Sequence, residues 1–253
     1  MIFENAVHFS ELPNSDRELK SLLNYNPLQL RVNHKQTLKG IPGRDPSFTD
    51  RAGWRGYDRV YSYFLSPLKY KENTILEVGT WTGYGLLFLK RYFKNSDVFG
   101  MDIDLHRYIY CRKEIIKDFV CFNNVKVFPA DSTYEQHWKI FEGLKFDIII
   151  DDGGHHPTTQ LDTIKNGLDY LAPGGIYFIE DIDHRYGDDV LNDLSNFLLE
   201  CSKNYEVTIY SHINEGIAHL VKNDQLFNLN VPKENFNPTA YIAVIQDTKN
   251  GSK

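Results

Sequence analysis

Two aspartates and two histidines stand close together in one predicted turn of the chain, residues 151–156 (Asp-Asp-Gly-Gly-His-His). The five residues before this turn, 146–150, are mostly apolar. A short apolar run that ends in turn residues predicts a strand covered on both faces of a parallel sheet. Ligands of open α/β sheets bind just beyond the carboxyl ends of such strands. The turn is therefore the first candidate for a functional site.

A second group of acids follows another predicted strand, residues 175–179. Glu180, Asp181 and Asp183 come directly after it. Where neighbouring parallel strands both end in acids, the carboxylates gather at one edge of the sheet, here with a histidine beside them. Carboxylate oxygens are the ligands that Mg²⁺ and similar hard cations prefer. We therefore predict a divalent-cation site at this edge, and the alternative is that the acids only cap the following helices.

Asp151 and Asp152 are consecutive residues at the end of the first of these strands. Consecutive side chains of a strand point to opposite faces of the sheet. We therefore expect only one of the two carboxylates to enter the site, while the other holds the turn. The strand pattern by itself leaves open which of them does so.

The composition is that of a globular protein and argues against several classes of function. The chain has 253 residues, enough for one large α/β domain or a domain with an arm. A formal net charge of −6 without a basic stripe argues against a nucleic-acid binder. No stretch reaches the ~18–20 apolar residues of a membrane span, and the N-terminus has no signal-peptide pattern. The unpaired spacing of Cys111, Cys121 and Cys201 favours a reducing compartment, so we predict a soluble, cytoplasmic protein.

Predicted strands and helices alternate along most of the chain. The strands are expected at 74–78, 97–101, 125–128, 146–150 and 175–179, and the helices at 84–93, 105–119, 134–141, 159–171 and 188–202. This alternation predicts right-handed βαβ units and a Rossmann-like, doubly wound, mostly parallel sheet of the α/β class. Residues 205–210 and 217–221 are expected to form a final antiparallel hairpin. A strand-like run at 241–246 has no assigned place.

The segment before the predicted sheet differs from the rest, so we divide the chain into an arm, residues 1–70, and a main domain, residues 71–253. A short helix capped by Asn14 or Ser15 is expected near the start of the arm. A second helix, at 54–68, carries a stripe of apolar and tyrosine side chains with helical spacing, and this stripe is expected to pack against the sheet.

Residues 25–56 of the arm are rich in turn residues and poor in periodicity. Segments of this kind and length are usually lids or binding loops. Arginine, lysine and tryptophan side chains in this segment are suited to covering a sugar or a phosphorylated group. We therefore predict a lid over an acceptor, and the alternative is a subunit contact or a solvated loop.

A glycine-rich turn follows the first predicted strand of the main domain. Glu77, Gly79 and Gly83 form the pattern E-x-G-x-x-x-G between a strand and a helix, which differs from the G-x-G-x-x-G dinucleotide fingerprint. Glycines let the backbone approach a ligand closely, and the following helix offers unpaired N–H groups. Asp102 and Asp104 lie roughly 20 residues further on, where a ribose is usually held. The pattern predicts a nucleoside-containing cofactor; the alternative is a turn that serves packing alone.

Four segments in this order resemble the motifs of class I S-adenosylmethionine-dependent methyltransferases: ILEVGTWTG, FGMDID, FPADS and APGGIYFIED. The resemblance covers roughly residues 70–185 and implies S-adenosylmethionine as the cofactor. It implies that the glycine turn cradles the methionine end, that Asp102 binds the ribose, and that the end of FPADS lies near the adenine. The implied cofactor-binding residues are Glu77, Gly79, Thr80, Gly83, Asp102, Asp131, Ser132 and Asp151.

More narrowly, IIDDGGHH followed by IED is similar to the metal-dependent sugar O-methyltransferases of macrolide biosynthesis, the mycinamicin and tylosin tailoring type. This resemblance implies Asp152, Glu180 and Asp181 as ligands of Mg²⁺ or Mn²⁺, with His155 as the general base. The chain departs from the pattern at Gly154, where the family's nearest members have serine, and by the additional histidine at 156.

The resulting hypothesis is a metal-dependent O-methyltransferase of a sugar hydroxyl, on a nucleotide-linked sugar or on a glycan or glycoside precursor, as in polysaccharide biosynthesis. One alternative is a metal-independent O-methyltransferase of a phenol or other small molecule. Another is a non-catalytic, cofactor-binding accessory domain. The expected partner is a small-molecule sugar or nucleotide-sugar. We expect the protein to bind neither nucleic acid nor membrane. The formation of a homo-oligomer is left open.

Overall fold

The computed structural model describes residues 7–8, 12–23, 57–114, 125–183, 186, 188–212 and 240–248. Its strands are β1 (Val7–His8), β2 (Thr74–Val78), β3 (Asp97–Asp102), β4 (Val125–Pro129), β5 (Phe146–Asp151), β6 (Leu171–Ile182), β7 (Glu206–His212) and β8 (Ala240–Gln246). Its helices are α1 (Arg17–Leu23), α2 (Asp58–Leu65), α3 (Tyr84–Tyr92), α4 (His106–Glu114), α5 (Glu135–Trp138), α6 (Pro157–Gly167) and α7 (Asp188–Cys201). Short 3₁₀ turns continue α2, α5 and α6, at Ser66–Leu68, Lys139–Phe141 and Leu168–Tyr170.

Within these described ranges, eight strands form one sheet in the order β1-β7-β8-β6-β5-β2-β3-β4. The pairings of β2 with β3 and β5, of β3 with β4, and of β5 with β6 are all parallel. β8 is antiparallel to both of its neighbours, β6 and β7. The predicted Rossmann-like, mostly parallel α/β fold is therefore confirmed. The chain crosses over between β2 and β5, which creates the crevice where such sheets bind ligands.

Apolar side chains cover the sheet on both faces, and β5 shows why its sequence is mostly apolar. Ile148 and Ile150 belong to one buried cluster, with residues of α1, α2 and α3. Ile149 belongs to the other cluster, with residues of α6 and α7. Because successive side chains of a strand alternate between faces, a strand covered on both faces needs apolar residues at nearly every position.

The structure differs from the predicted elements in β6. This strand begins at Leu171 and ends at Ile182, so it includes residues 173–175, where a turn was predicted. Its pairing with β5 is irregular there, and Gly174 has a φ of 78°. Glu180 and Asp181 consequently lie inside the strand rather than after it.

The end of the sheet also differs from the expectation. β7 is antiparallel to β8, which contains the run at 241–246 that had no assigned place, and β8 lies between β7 and β6. The expected partner at 217–221 lies outside the described residues.

The described part of the arm belongs to the sheet and its core. β1 pairs in parallel with β7, and Leu19 of α1 is fully buried. The cap of α1 is Asp16, whose Oδ1 accepts from the Leu19 N–H at 2.7 Å. The prediction of Asn14 or Ser15 as the cap was wrong, because the Ser15 hydroxyl donates instead to the Asp58 carboxylate.

Two further observations concern the predicted arm and membrane contact. Residues 25–56, the predicted lid, lie outside the described residues. No helix in the described ranges combines the length and the apolar character needed to cross a membrane.

Candidate active site

Three segments meet at the carboxyl edge of the central strands: the glycine turn after β2, the acidic turn after β5, and the last residues of β6. The pairing of β2 with β5 places Val78 opposite Asp151. One residue further on, the Asp152 N–H donates to the Val78 carbonyl at 2.9 Å. The two turns therefore leave the sheet side by side.

Gly79 is the point where these two turns touch. A Cβ at this position would lie 2.1 Å from the carbonyl oxygen of Asp152 and 2.6 Å from the Cα of Gly153. Gly79 also has a φ of 82°, in the left-handed region that favours glycine. The position therefore requires glycine both for its backbone conformation and for the close approach of the acidic turn.

The glycine turn is tied to the end of β3. Gly83, the N-cap residue of α3, is left-handed with a φ of 84°, and its N–H donates to the Thr80 carbonyl at 2.6 Å. Asp102 accepts from the Trp81 N–H through Oδ2 at 2.8 Å, and from the Asp104 N–H through Oδ1 at 2.9 Å. The residues predicted to bind the methionine end and the ribose of a cofactor are thus held next to one another.

An arginine and a tryptophan contact each other at the glycine turn. The guanidinium carbon of Arg107, in α4, lies 5.6 Å from the centre of the Trp81 ring. The Trp81 side chain is partly exposed, and its backbone φ of 41° is unusual for a residue other than glycine. The glycine turn therefore presents a large ring to solvent at the rim of the crevice.

Two of the other predicted cofactor residues have side-chain partners in the protein, and two are buried. Asp131 accepts through Oδ1 from the N–H and the hydroxyl of Thr133, at 3.0 and 2.7 Å. The Ser132 hydroxyl lies 2.8 Å from that of Thr163 in α6. Glu77 and Thr80 are buried in and just after β2. Contacts of these four residues with a cofactor stay predictions.

The two consecutive aspartates have different surroundings. Asp151 is buried, and its Oδ1 accepts from the Gly153 N–H at 3.2 Å. Burial raises the pKa of the Asp151 carboxyl to about 8, and the nearby Glu180 carboxylate adds to this rise. Asp152 is partly exposed. Asp151 thus holds the turn, while the side chain of Asp152 is accessible at the crevice.

Asp152, His155 and Asp181 form a group that can hold a metal ion. Each offers one ligand atom, and these atoms all lie within 4.8 Å of one another. The His155 Nε2 is 3.9 Å from the Asp181 Oδ2. Two carboxylates and an imidazole at this separation fit a divalent cation such as Mg²⁺ or Mn²⁺. This group of three includes His155, whereas the ligand set implied by the resemblance included Glu180 instead.

Glu180 points elsewhere in this structure. Its carboxylate is buried and accepts from the Tyr61 hydroxyl. Its backbone carbonyl accepts from the Gln160 Nε2 at 2.7 Å. The structure therefore does not bring Glu180 into the group of three, and its role as a ligand stays a prediction.

Two tyrosines contact the acids of β6: Tyr57, the N-cap residue of α2, and Tyr61 within α2. The Tyr57 hydroxyl donates to the Asp181 carboxylate, as the Tyr61 hydroxyl does to that of Glu180. The sequence analysis placed both tyrosines in a stripe that packs on the sheet, and both rings are indeed fully buried. Their four-residue spacing was a signal that both hydroxyls leave the helix on one side.

The departures from the macrolide-type pattern have a local explanation. The Thr159 hydroxyl donates to the carbonyls of Gly154 and His156, at 2.6 and 2.7 Å. A Cβ at Gly154 would lie 2.7 Å from the Oγ1 of Thr159, so the hydroxyl occupies the space that a serine would need. His156 is the N-cap of α6, and its side chain accepts from the Thr158 N–H at 3.3 Å.

Comparisons with known proteins agree with this geometry. Residues 76–182 match the family model of a methyltransferase domain. The 8-demethyl-8-alpha-L-rhamnosyl tetracenomycin-C 2'-O-methyltransferase of Streptomyces olivaceus is 28% identical in an alignment 152 residues long, which covers 54% of this chain and 36% of that protein. The chain thus spans little more than a third of the length of this curated relative.

Solved methyltransferase structures share the fold. The MycE methyltransferase of the mycinamycin biosynthetic pathway, in complex with Mg and SAH, superposes with a TM-score of 0.54 at 16% identity, over 81% of this chain and 54% of that chain. A Klebsiella pneumoniae protein assigned as an O-methyltransferase superposes with a TM-score of 0.56 at 14% identity, over 94% of this chain and 93% of that chain. At these identities the likeness shows the fold alone.

Proposed function

We propose that this chain is an S-adenosylmethionine-dependent O-methyltransferase, because it carries a methyltransferase domain with the class I fold. We further propose that it requires a divalent cation and methylates a sugar hydroxyl. One observation carries the proposal. The group of Asp152, His155 and Asp181 lies directly against the glycine turn, through the contact of Gly79 with the Asp152 backbone. The proposed cation site would therefore lie next to the proposed cofactor site, as methyl transfer from the cofactor to a cation-bound hydroxyl requires.

The relatives support the choice of substrate class. The Streptomyces olivaceus protein is named for 2'-O-methylation of a rhamnosyl tetracenomycin. MycE has been solved in complex with Mg and SAH, and also with Mg, SAH and mycinamycin VI. For this chain we infer an acceptor of the same chemical kind, a sugar hydroxyl on a glycoside or on a nucleotide-linked sugar.

The chain's own residues have distinct tasks in this proposal. Asp152 and Asp181 hold the cation through their carboxylates, with Glu180 as a further ligand implied by the resemblance. The cation, when bound, lowers the pKa of a coordinated hydroxyl and orients it. The glycine turn and Asp102 hold the cofactor, whose sulfonium supplies an activated methyl group. Alignment of the two reactants accounts for much of the rate enhancement in such a transfer.

His155 accepts the proton that the hydroxyl gives up. Its side chain is 45% exposed, so an acceptor can reach it, and its Nε2 faces the Asp181 carboxylate at 3.9 Å. An imidazole is the usual proton acceptor near neutral pH. The same nitrogen could also be a metal ligand, because His155 belongs to the group of three, and one nitrogen cannot bind a cation and a proton together. We assign the His155 Nε2 the role of base. Measuring metal binding by a His155 variant distinguishes this role from that of a metal ligand.

The experiment is a screen of glycosides and nucleotide-sugars for the formation of S-adenosylhomocysteine, on metal-stripped protein with and without Mg²⁺ or Mn²⁺. We expect turnover only with added metal, and its loss in Asp152→Ala and Asp181→Ala. Asp169→Ala is the matched control, since this exposed acid lies before β6, at the opposite end of that strand. Full turnover in EDTA would favour the metal-independent alternative. Cofactor binding without turnover of any acceptor would favour the non-catalytic one.

A further inference from the structure

We infer that Tyr57, the N-cap residue of α2, is a positioning residue whose hydroxyl orients the Asp181 carboxylate for the cation, while Tyr61 of α2 fixes the neighbouring Glu180. This inference rests on the proposed function, because it assigns the residues that prepare the proposed metal site. It begins from the shape of β6 at the two acids.

β6 contains a bulge at the two acids. Ile179 pairs with Ala243 of β8, whereas Ile182 pairs with Tyr241, so a step of three residues on β6 faces a step of two on β8. Ile179 and Ile182 both belong to the apolar cluster beneath α6 and α7. In a regular strand, residues three apart would point to opposite faces. The extra residue restores Ile182 to the cluster and lets both intervening acids reach the other face, where α2 packs.

Asp181 has the backbone conformation that makes this bulge. Its φ of 55° lies in the left-handed region, which aspartate tolerates better than most residues but which still needs support from its surroundings. One tyrosine hydroxyl supplies such support. Tyr57 donates to the Asp181 Oδ1 and accepts from the Asp181 backbone N–H at 3.2 Å. It therefore holds the backbone and the side chain of the same residue.

The two carboxylate oxygens of Asp181 have different contacts, and this matters for the metal site. Oδ1 of Asp181 contacts Tyr57, whereas Oδ2 faces the Nε2 of His155 at 3.9 Å. The Tyr57 hydroxyl thus fixes the rotation of the carboxylate, and so the direction in which Oδ2 points. Tyr61, one helical turn further on, bonds to the Oε1 of Glu180 in the same way. Hydrogen bonds to metal-binding carboxylates are known to tune metal affinity by fixing the ligands.

A purely structural role is the alternative. Both rings are fully buried, and the Tyr61 ring packs against those of Phe88 and Phe178, at 6.5 and 5.1 Å between centres. If the tyrosines served packing alone, phenylalanine would replace them without effect on metal binding. If they position the acids, the loss of one hydroxyl weakens metal binding while the fold persists.

The test is the affinity of the full chain for Mn²⁺, measured from the electron paramagnetic resonance signal of free Mn²⁺. We expect Tyr57→Phe to bind Mn²⁺ about 10–100-fold more weakly than the wild type, the usual effect of losing a partner of a metal ligand. Turnover by this variant should recover as Mg²⁺ is raised. Tyr92→Phe is the matched control, because its buried hydroxyl bonds to Ser66 at 3.1 Å, away from the acids, and its affinity should stay within about twofold of the wild type.

The outcomes separate this inference from the proposed function. If the wild type binds Mn²⁺ and Asp152→Ala does not, the metal site stands. If Tyr57→Phe, folded by circular dichroism, then binds Mn²⁺ as the wild type does, the positioning role is overturned. A Tyr57→Phe variant that fails to fold would also overturn the positioning role, because the hydroxyl would then be needed for the fold itself. A wild-type chain that binds no Mn²⁺ overturns both proposals.

Discussion

The contact between the glycine turn and the acidic turn can be tested by adding a single methyl group, in Gly79→Ala. The new Cβ would lie 2.1 Å from the carbonyl oxygen of Asp152 and 2.5 Å from its carbon, whereas ordinary contacts of a Cβ begin near 3.4 Å. The methyl group meets backbone atoms rather than the end of a flexible side chain. Relief therefore requires one of the two turns to move.

The expected cost has two parts. A left-handed conformation costs a residue with a Cβ about 1–2 kcal/mol, and Gly79 has a φ of 82°. Forcing an extra methyl into a packed site costs roughly another 1–3 kcal/mol. Gly143→Ala isolates the first part, because Gly143 has a φ of 81° but no described heavy atom within 4 Å of its added Cβ. We expect a loss of about 2–5 kcal/mol for Gly79→Ala and about 1–2 kcal/mol for Gly143→Ala.

Urea unfolding of the two variants measures these free energies, provided that their m-values match that of the wild type. Titrations with S-adenosylmethionine and Mn²⁺ give a second measurement. Gly79→Ala should weaken the binding of both, because the displaced backbone belongs to both turns, and Gly143→Ala should leave both unchanged. Equal destabilisation by the two substitutions, with cofactor and metal binding intact in each, would refute the close contact.

Two further predictions concern a histidine pair and a buried thiol. His155→Ala should lower kcat by about 10²–10⁴ with Mn²⁺ affinity retained, and a loss of that affinity would make His155 a ligand instead of the base. His156→Ala, its neighbour and control, should cost about 0.5–2 kcal/mol of stability through the lost helix cap while sparing kcat. Burial raises the pKa of the Cys201 thiol to about 11, so iodoacetamide at pH 8 should label it slowly in the native protein and rapidly in urea. Mass spectrometry measures both rates, and fast native labelling would contradict the burial of this side chain.

Much of the fold could be predicted from local patterns. The apolar run at 146–150 predicted a strand covered on both faces, and β5 has apolar clusters on both sides. The glycine turn was predicted at the end of β2, and Gly79 does adopt a left-handed conformation there. These features depend on the period of a strand and on the steric freedom of glycine, both of which are visible in a single sequence.

Features that depend on distant partners could not be predicted in this way. Glu180 and Asp181 were expected after the strand, whereas they lie within β6, where the bulge opposite β8 lets both contact tyrosines at α2. Tyr57 and Tyr61 have the spacing of a packed helix face, and the sequence does not reveal that their hydroxyls meet acids more than a hundred positions away. The place of β8 also depends on pairings with strands that are remote along the chain.

The bulge in β6 has a consequence for how this site can change during evolution. β6 lies between β5 and β8, and Phe178 and Ile179 pair with residues of both neighbours. An insertion or deletion near the acids would shift the register against two strands at once and would move Ile182 out of its apolar cluster. A substitution at the acids leaves both ladders in place. The sheet therefore constrains the length of β6 at the acids, whereas the identity of their side chains is constrained by the chemistry of the site.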